Sequence, residues 1–107
     1  MLRHIVMWNL KDEAAGGTKE QNAAIIKERL EALVGRIDGL RRLEVGRNVV
    51  EGGYDLCLYS ELDDLAALHF YKEHPLHKEV QAFVHQVITS RVACDSEQAA
   101  PAGKPVV

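Results

Sequence analysis

The chain has 107 residues, 13 Lys and Arg against 16 Asp and Glu, and a formal charge of −3 with neutral histidines. Apolar residues make up 47% and charged residues 27%, which describes one globular domain with no room for a second core. No apolar run approaches the roughly 18 residues that span a membrane, residues 1–13 alternate too strictly for a secretory signal, and no basic cluster beyond Arg41 and Arg42 offers a nucleic-acid footprint.

Residues 2–10 alternate with period two, which predicts a strand. Leu2, His4, Val6, Trp8 and Leu10 share one face, and Arg3, Ile5, Met7 and Asn9 share the other. Both faces carry apolar side chains, so both are expected to be covered. Residues 11–17 form a polar loop. Thr18 with Gln21 three residues later makes a capping box. The helix it opens carries an apolar stripe through Ile26, Leu30, Leu33, Val34 and Ile37, to be ended by Gly35 or Gly39. Residues 40–50 return to strand character, with Leu43, Val45 and Val49 on one face. Glu51, Gly52 and Gly53 turn the chain into a second strand over residues 54–62, closing an antiparallel hairpin.

Asp63 and Asp64 can cap a second helix carrying Leu65, Leu68 and Tyr71. Pro75 interrupts it, and the helical pattern resumes through Val80, Phe83, Val84 and Val87. Residues 89–94 read as a last strand. From Asp95 the composition shifts to Ala, Pro, Gly and polar residues, so residues 96–107 are expected to form a flexible tail outside a domain spanning 1–95. Cys57 and Cys94 have no metal spacing and read as buried free thiols, placing the protein in the reducing cytoplasm.

The order β-α-β-β-α-β predicts an α+β, ferredoxin-like fold: a four-stranded antiparallel sheet with both helices on one face. The other face would hold Ile5, Met7, Cys57 and Tyr59, too apolar for open water. Stacking two such sheets covers it and makes a homodimer.

The chemistry rests on the histidines. His4 lies on the strand face assigned to the helices. Tyr71 and His77 straddle the Pro75 break, where a proline frees carbonyls and re-aims side chains. Histidine exchanges protons near neutrality, and a tyrosine hydroxyl steadies a carbonyl or a developing enolate. His77 as base, Tyr71 as donor and His4 as support suit proton abstraction beside a carbonyl. The same residues also suit a plain role as core packing and buried hydrogen bonds. A metal reading of His74 and His77 is hampered by Pro75 between them and by the want of a cysteine or carboxylate to complete the set. No phosphate loop and no nucleophile elbow are present. Neither metal nor cofactor is expected.

His4 in an alternating first strand, the hairpin, and Tyr71 followed by His74-Pro75-x-His77 resemble the stress-responsive dimeric α/β-barrel (Dabb) family over residues 2–95. The resemblance implies a ferredoxin-like homodimer whose two sheets form a barrel. That family includes a plant polyketide cyclase that closes a linear thioester by aldol condensation without a cofactor. Its catalytic pattern falls on His4, Tyr71 and His77 here. By that resemblance His77 is a base, Tyr71 holds the carbonyl and His4 lines the cavity. The pocket walls are matched to the cyclase by no motif; from their places in the chain, Trp8, His74 and Phe83 are expected around the substrate, with Ile26, Leu30 and Leu56 as further walls. The expected ligand is a small apolar carbonyl compound or aromatic. A non-enzymatic ligand-binding or stress-response dimer is the alternative. A second alternative is a monooxygenase of the antibiotic-biosynthesis type, which the His74-Pro75-x-His77 element disfavours.

Overall fold

The computed structural model describes residues 1–97. Its elements run β1 (Leu2–Leu10), β2 (Glu13–Ala14), β3 (Gly17–Thr18), α1 (Lys19–Glu31), β4 (Leu40–Arg47), β5 (Leu56–Leu62), α2 (Leu65–Glu73), α3 (Pro75–Val87) and β6 (Ile88–Glu97). The four long strands form one antiparallel sheet in the order β4-β5-β1-β6, and β2 with β3 makes a small separate ribbon inside the polar loop. This is the ferredoxin-like α+β fold.

The alternation of β1 decides the layering. Leu2, His4, Val6, Trp8 and Leu10 are all buried, while Arg3, Ile5, Met7 and Asn9 are only half-buried. On β5, Leu56, Leu58, Ser60 and Leu62 are buried in the same way. These two central strands supply the sheet side of one core, closed by Ile26 and Leu30 of α1, Leu68 and Tyr71 of α2, and Val80, Val84 and Val87 of α3. Burying each large aliphatic chain contributes about 1.5–3 kcal/mol, which is why period two and period 3.6 are legible in the same sequence.

Local signals account for the ends of the elements. Thr18 accepts a hydrogen bond from the Gln21 backbone N–H, and the Gln21 side chain accepts one from the Thr18 N–H, closing the expected capping box. Asp64 caps α2 by accepting from the Ala67 N–H at 2.8 Å. Lys27 and Glu31 fasten α1 to β4: Lys27 Nζ donates to the Val45 carbonyl at 2.8 Å, and Glu31 accepts from the Val45 N–H at 3.0 Å.

Four expectations are corrected. Helix α1 ends at Glu31, so Leu33 and Ile37 are buried from the following turns, and Val34 is exposed. Strand β4 stops at Arg47, and Val49 is 94% exposed. There the Asn48 side chain takes over the backbone's bonds, donating to the Gly52 and Tyr54 carbonyls and accepting from the Val50 N–H. Strand β6 continues to Glu97 because Asp95, Ser96 and Glu97 pair with His4, Arg3 and Leu2; the rest of the expected tail, residues 98–107, lies outside the described residues. Finally, Cys57 and Cys94 are free but exposed. Their register with Met7 and Ile5 puts them on the sheet face away from the helices.

No helix of the described residues is long and apolar enough to cross a membrane.

Candidate active site between the helices and the sheet

The site begins with the helix break. Proline has no N–H and bars the helical conformation to the residue before it. His74 accordingly leaves the helix at ψ 134° and serves both as C-cap of α2 and as N-cap of α3. Its Nδ1 accepts from the Leu76 N–H at 3.1 Å. That hydrogen would otherwise serve the Lys72 carbonyl, four residues back, in a continuous helix. The Lys72 carbonyl is bonded instead by His77 Nδ1, at 3.3 Å. A carbonyl only accepts, so Nδ1 carries the proton and the neutral His77 ring keeps its lone pair on Nε2. The break thus fixes both the place and the tautomer of this imidazole.

His77 and Tyr71 then meet, with ring centroids 4.3 Å apart and planes tilted by 42°. His4 approaches Tyr71 from the sheet, edge-on at 6.3 Å. Its Nδ1 donates to Asp95 in a short contact, and the backbone beneath is pinned by the Ser60 hydroxyl, which donates to the His4 carbonyl at 2.8 Å. Asp95, on the neighbouring strand, is directly opposite His4 in the register.

These groups line a cavity of about 360 Å³. Val6, Trp8, Leu30, Leu58 and Val84 form its buried apolar wall, and Lys72, Glu73, Lys78, Gln81, His85 and Arg91 its more exposed polar side. A volume of this size suits a small molecule, and an apolar wall with a few convergent polar groups is what small-molecule pockets offer.

Burial governs the titration. It pushes the His4 imidazole below its ordinary value, outweighing the Asp95 carboxylate that pulls the other way. It also lowers His77, against the hydrogen bond that Nδ1 donates to the Lys72 carbonyl. It pushes the Tyr71 phenol up. At neutral pH His4 and His77 are therefore neutral imidazoles beside the protonated Tyr71 phenol, a base beside a hydrogen-bond donor.

Of the residues singled out from sequence, the structure brings His4, Trp8, Tyr71, His77 and Leu30 to one cavity. His74 and Phe83 do not line it. His74 is spent on capping and stands edge-on to Phe70 at 5.6 Å. Phe83 turns toward α1, under the Arg29 guanidinium at 4.9 Å. Ile26 and Leu56 lie in the core away from the cavity. Sequence reasoning missed Asp95, which it had placed where the chain's character turns to tail, and it missed Lys72 and Arg91. Strand pairing from His4 was the signal that could have found Asp95. Among the described residues no group of three or more His, Cys, Asp or Glu could hold a metal.

Fold and cavity together define a ferredoxin-like α+β protein with a His/Tyr pocket under its second helical segment. The chain belongs to the stress responsive A/B barrel domain family, Dabb, whose pattern it matches over residues 2–98. It is 34% identical over 95 residues to an uncharacterized protein of Streptomyces coelicolor, covering 87% of this chain and 96% of that one. Among solved structures it resembles a dimeric, ferredoxin-like protein of unknown function from Bacteroides fragilis, at 33% identity and a TM-score of 0.77, covering 91% of this chain and 95% of that one. It also resembles a hydroxynitrile lyase from Passiflora edulis, with a TM-score of 0.76 over 89% of this chain and 90% of that one. At 14% identity that second likeness is one of fold.

Proposed function

We propose that the cavity carries out cofactor-independent proton transfer on a small carbonyl compound, with aldol closure as the reaction class it suits best. The observation that carries this reading is the hydrogen bond from His77 Nδ1 to the Lys72 carbonyl, which leaves Nε2 as the lone-pair nitrogen of an imidazole packed on Tyr71. In the first step Nε2 takes the proton from the carbon next to the carbonyl. The C–H electron pair moves into the new C=C bond, and the carbonyl π pair becomes the enolate oxygen's charge. The Tyr71 hydroxyl, kept protonated by burial, donates a hydrogen bond to that oxygen. The enolate carbon then attacks a second carbonyl of the same molecule, and the imidazolium returns its proton to the new alkoxide. Atoms and electrons balance without an outside reagent. His4, held by Asp95, is a positioning residue that supports Tyr71 and keeps that wall uncharged.

General-base help of this kind contributes about 10²–10⁴-fold. The test is solvent deuterium incorporation at the methyl group of acetophenone, followed by proton NMR. Exchange faster than in buffer, lost on His77→Gln and reduced on Tyr71→Phe, supports the reading. Exchange no faster than in buffer, or unchanged by His77→Gln, contradicts it.

We also propose that two copies stack the sheet faces that carry Ile5, Met7, Cys57, Tyr59, Val92 and Cys94. Support comes from the apolar character of that face, where Val92 is 37% exposed and both cysteines are open, and from the dimeric Bacteroides relative.

A further inference from the structure

The polar side of the cavity is cationic although the chain carries a net charge of −3. Lys72, Lys78 and Arg91 line it against one carboxylate, Glu73. Lys78 and Glu73 pair with each other at 2.9 Å. Lys72 stands 3.9 Å from Asp95 Oδ2, at the edge of ion-pair range, and the other oxygen of that carboxylate is engaged by His4. Arg91 pairs with no acidic side chain among the described residues. Its register opposite Trp8 sets it on the helix side of the sheet, on the edge strand β6, beside the apolar wall.

Two cations with little to neutralise them therefore stand over a cavity in which Tyr71 is buried and His77 half-buried. Lys72 and Arg91 both act on both imidazoles, each holding His4 and His77 lower, so their field reaches the reacting groups. Guanidinium and ammonium groups so placed recognise an oxyanion through charge-assisted hydrogen bonds, and the planar guanidinium fork suits paired oxygens. An anchor away from the reacting carbon also supplies orientation, which turns binding into correct placement.

We propose that the ligand carries an oxyanion, a carboxylate or a phosphate, held by Arg91 and Lys72 while its carbonyl lies against Tyr71 and His77. This deepens the reading of the site given above and rests on it for the position of the carbonyl.

The sole tryptophan, Trp8, lines the cavity, so its fluorescence reports occupancy. The probes are para-acetylbenzoate, para-acetylphenyl phosphate and methyl para-acetylbenzoate. They share one aryl methyl ketone and differ in charge. At least one anion is expected to bind about tenfold or more tightly than the ester, and the comparison of the two anions tells which oxyanion the site takes. In the double variant Arg91→Gln, Lys72→Gln the preference is expected to vanish while the ester's affinity stays within about twofold, because the ester uses only the apolar wall and Tyr71. Arg91 is exposed and Lys72 half-buried, so the variant is expected to fold, with circular dichroism as the check. If the double variant is unfolded, the single Arg91→Gln variant takes its place, and a diminished preference is the expected result.

Equal quenching by all three probes in the wild type, silence from all three included, overturns the proposal. So does a preference that survives the substitutions undiminished. Deuterium exchange at the probes' methyl group separates this from the proton-transfer reading. Exchange without a charge preference overturns the oxyanion site alone, and a charge preference without exchange supports the oxyanion site and overturns the proton-transfer reading.

Discussion

His77 owes its place and its tautomer to a bond that Pro75 made available. The proline turns the chain out of the helix at His74, the Lys72 carbonyl is left to His77, and the imidazole is fixed with one nitrogen protonated and the other bare. The same burial that lowers the imidazoles also couples the site to stability. His4 and His77 both sit below the ordinary histidine value of 6.5 in the folded chain. Between those lowered values and 6.5 the unfolded chain binds more protons than the folded one, so stability falls as pH drops through that window. Their stabilising preference for the neutral form is fully present above 6.5 and exhausted below the folded values. Thermal unfolding followed from about pH 7.5 to about pH 5 is expected to show a falling Tm, and His77→Gln to show a shallower fall. An equally steep fall in the variant would assign the effect to other groups.

Elements were legible where one residue type announces them. Thr18 with Gln21, Asp64 before α2 and Pro75 within the helical pattern each act through their immediate neighbours, and the structure shows the bonds each implies. Where an element's end depends on something distant, sequence reasoning overran or fell short. The apolar stripe of α1 continued through Leu33 and Ile37 because those residues are buried, but from a turn rather than a helix. Val49 continued the alternation of β4, and there a local signal went unread, because Asn48 bonds to Val50, Gly52 and Tyr54 and closes the loop. Asp95 sits in a segment of polar composition, and only its pairing with His4 across the sheet makes it part of the site. Composition is local and strand register is not, which is why Tyr71 and His77 were singled out without the carboxylate behind His4. One turn gives a sharp element-scale test. Gly39 has φ +87°, and a Cβ there would lie 2.7 Å from the Ala67 Cβ. Gly39→Ala is expected to lose at least about 1–2 kcal/mol from the left-handed conformation alone, read by urea unfolding. A variant as stable as the wild type would mean that the β4 entry and the start of α2 move apart freely.

At the scale of the whole molecule, one face of the sheet closes the core, and the proposed dimer covers the other with a second copy. Wild-type protein is expected to sediment at micromolar concentration with twice the mass of one chain. Val92→Glu puts a charge on the outer face without touching the helix side and is expected to shift the protein toward one chain. A wild type that sediments as a single chain contradicts the stacking of sheets. The cavity lies on the helix side of the sheet, so the proposed proton-transfer site takes His4, Tyr71 and His77 from one chain's own β1, α2 and α3. That the bare nitrogen of His77 is the base is tested most directly by the pH dependence of methyl deuterium exchange in acetophenone. The expected rate is level near neutrality and declines at pH values below 6.5 as His77 takes up a proton, with that protein-dependent rate gone in His77→Gln. A rate equal to that of buffer at every pH, or a profile unchanged by His77→Gln, would contradict it.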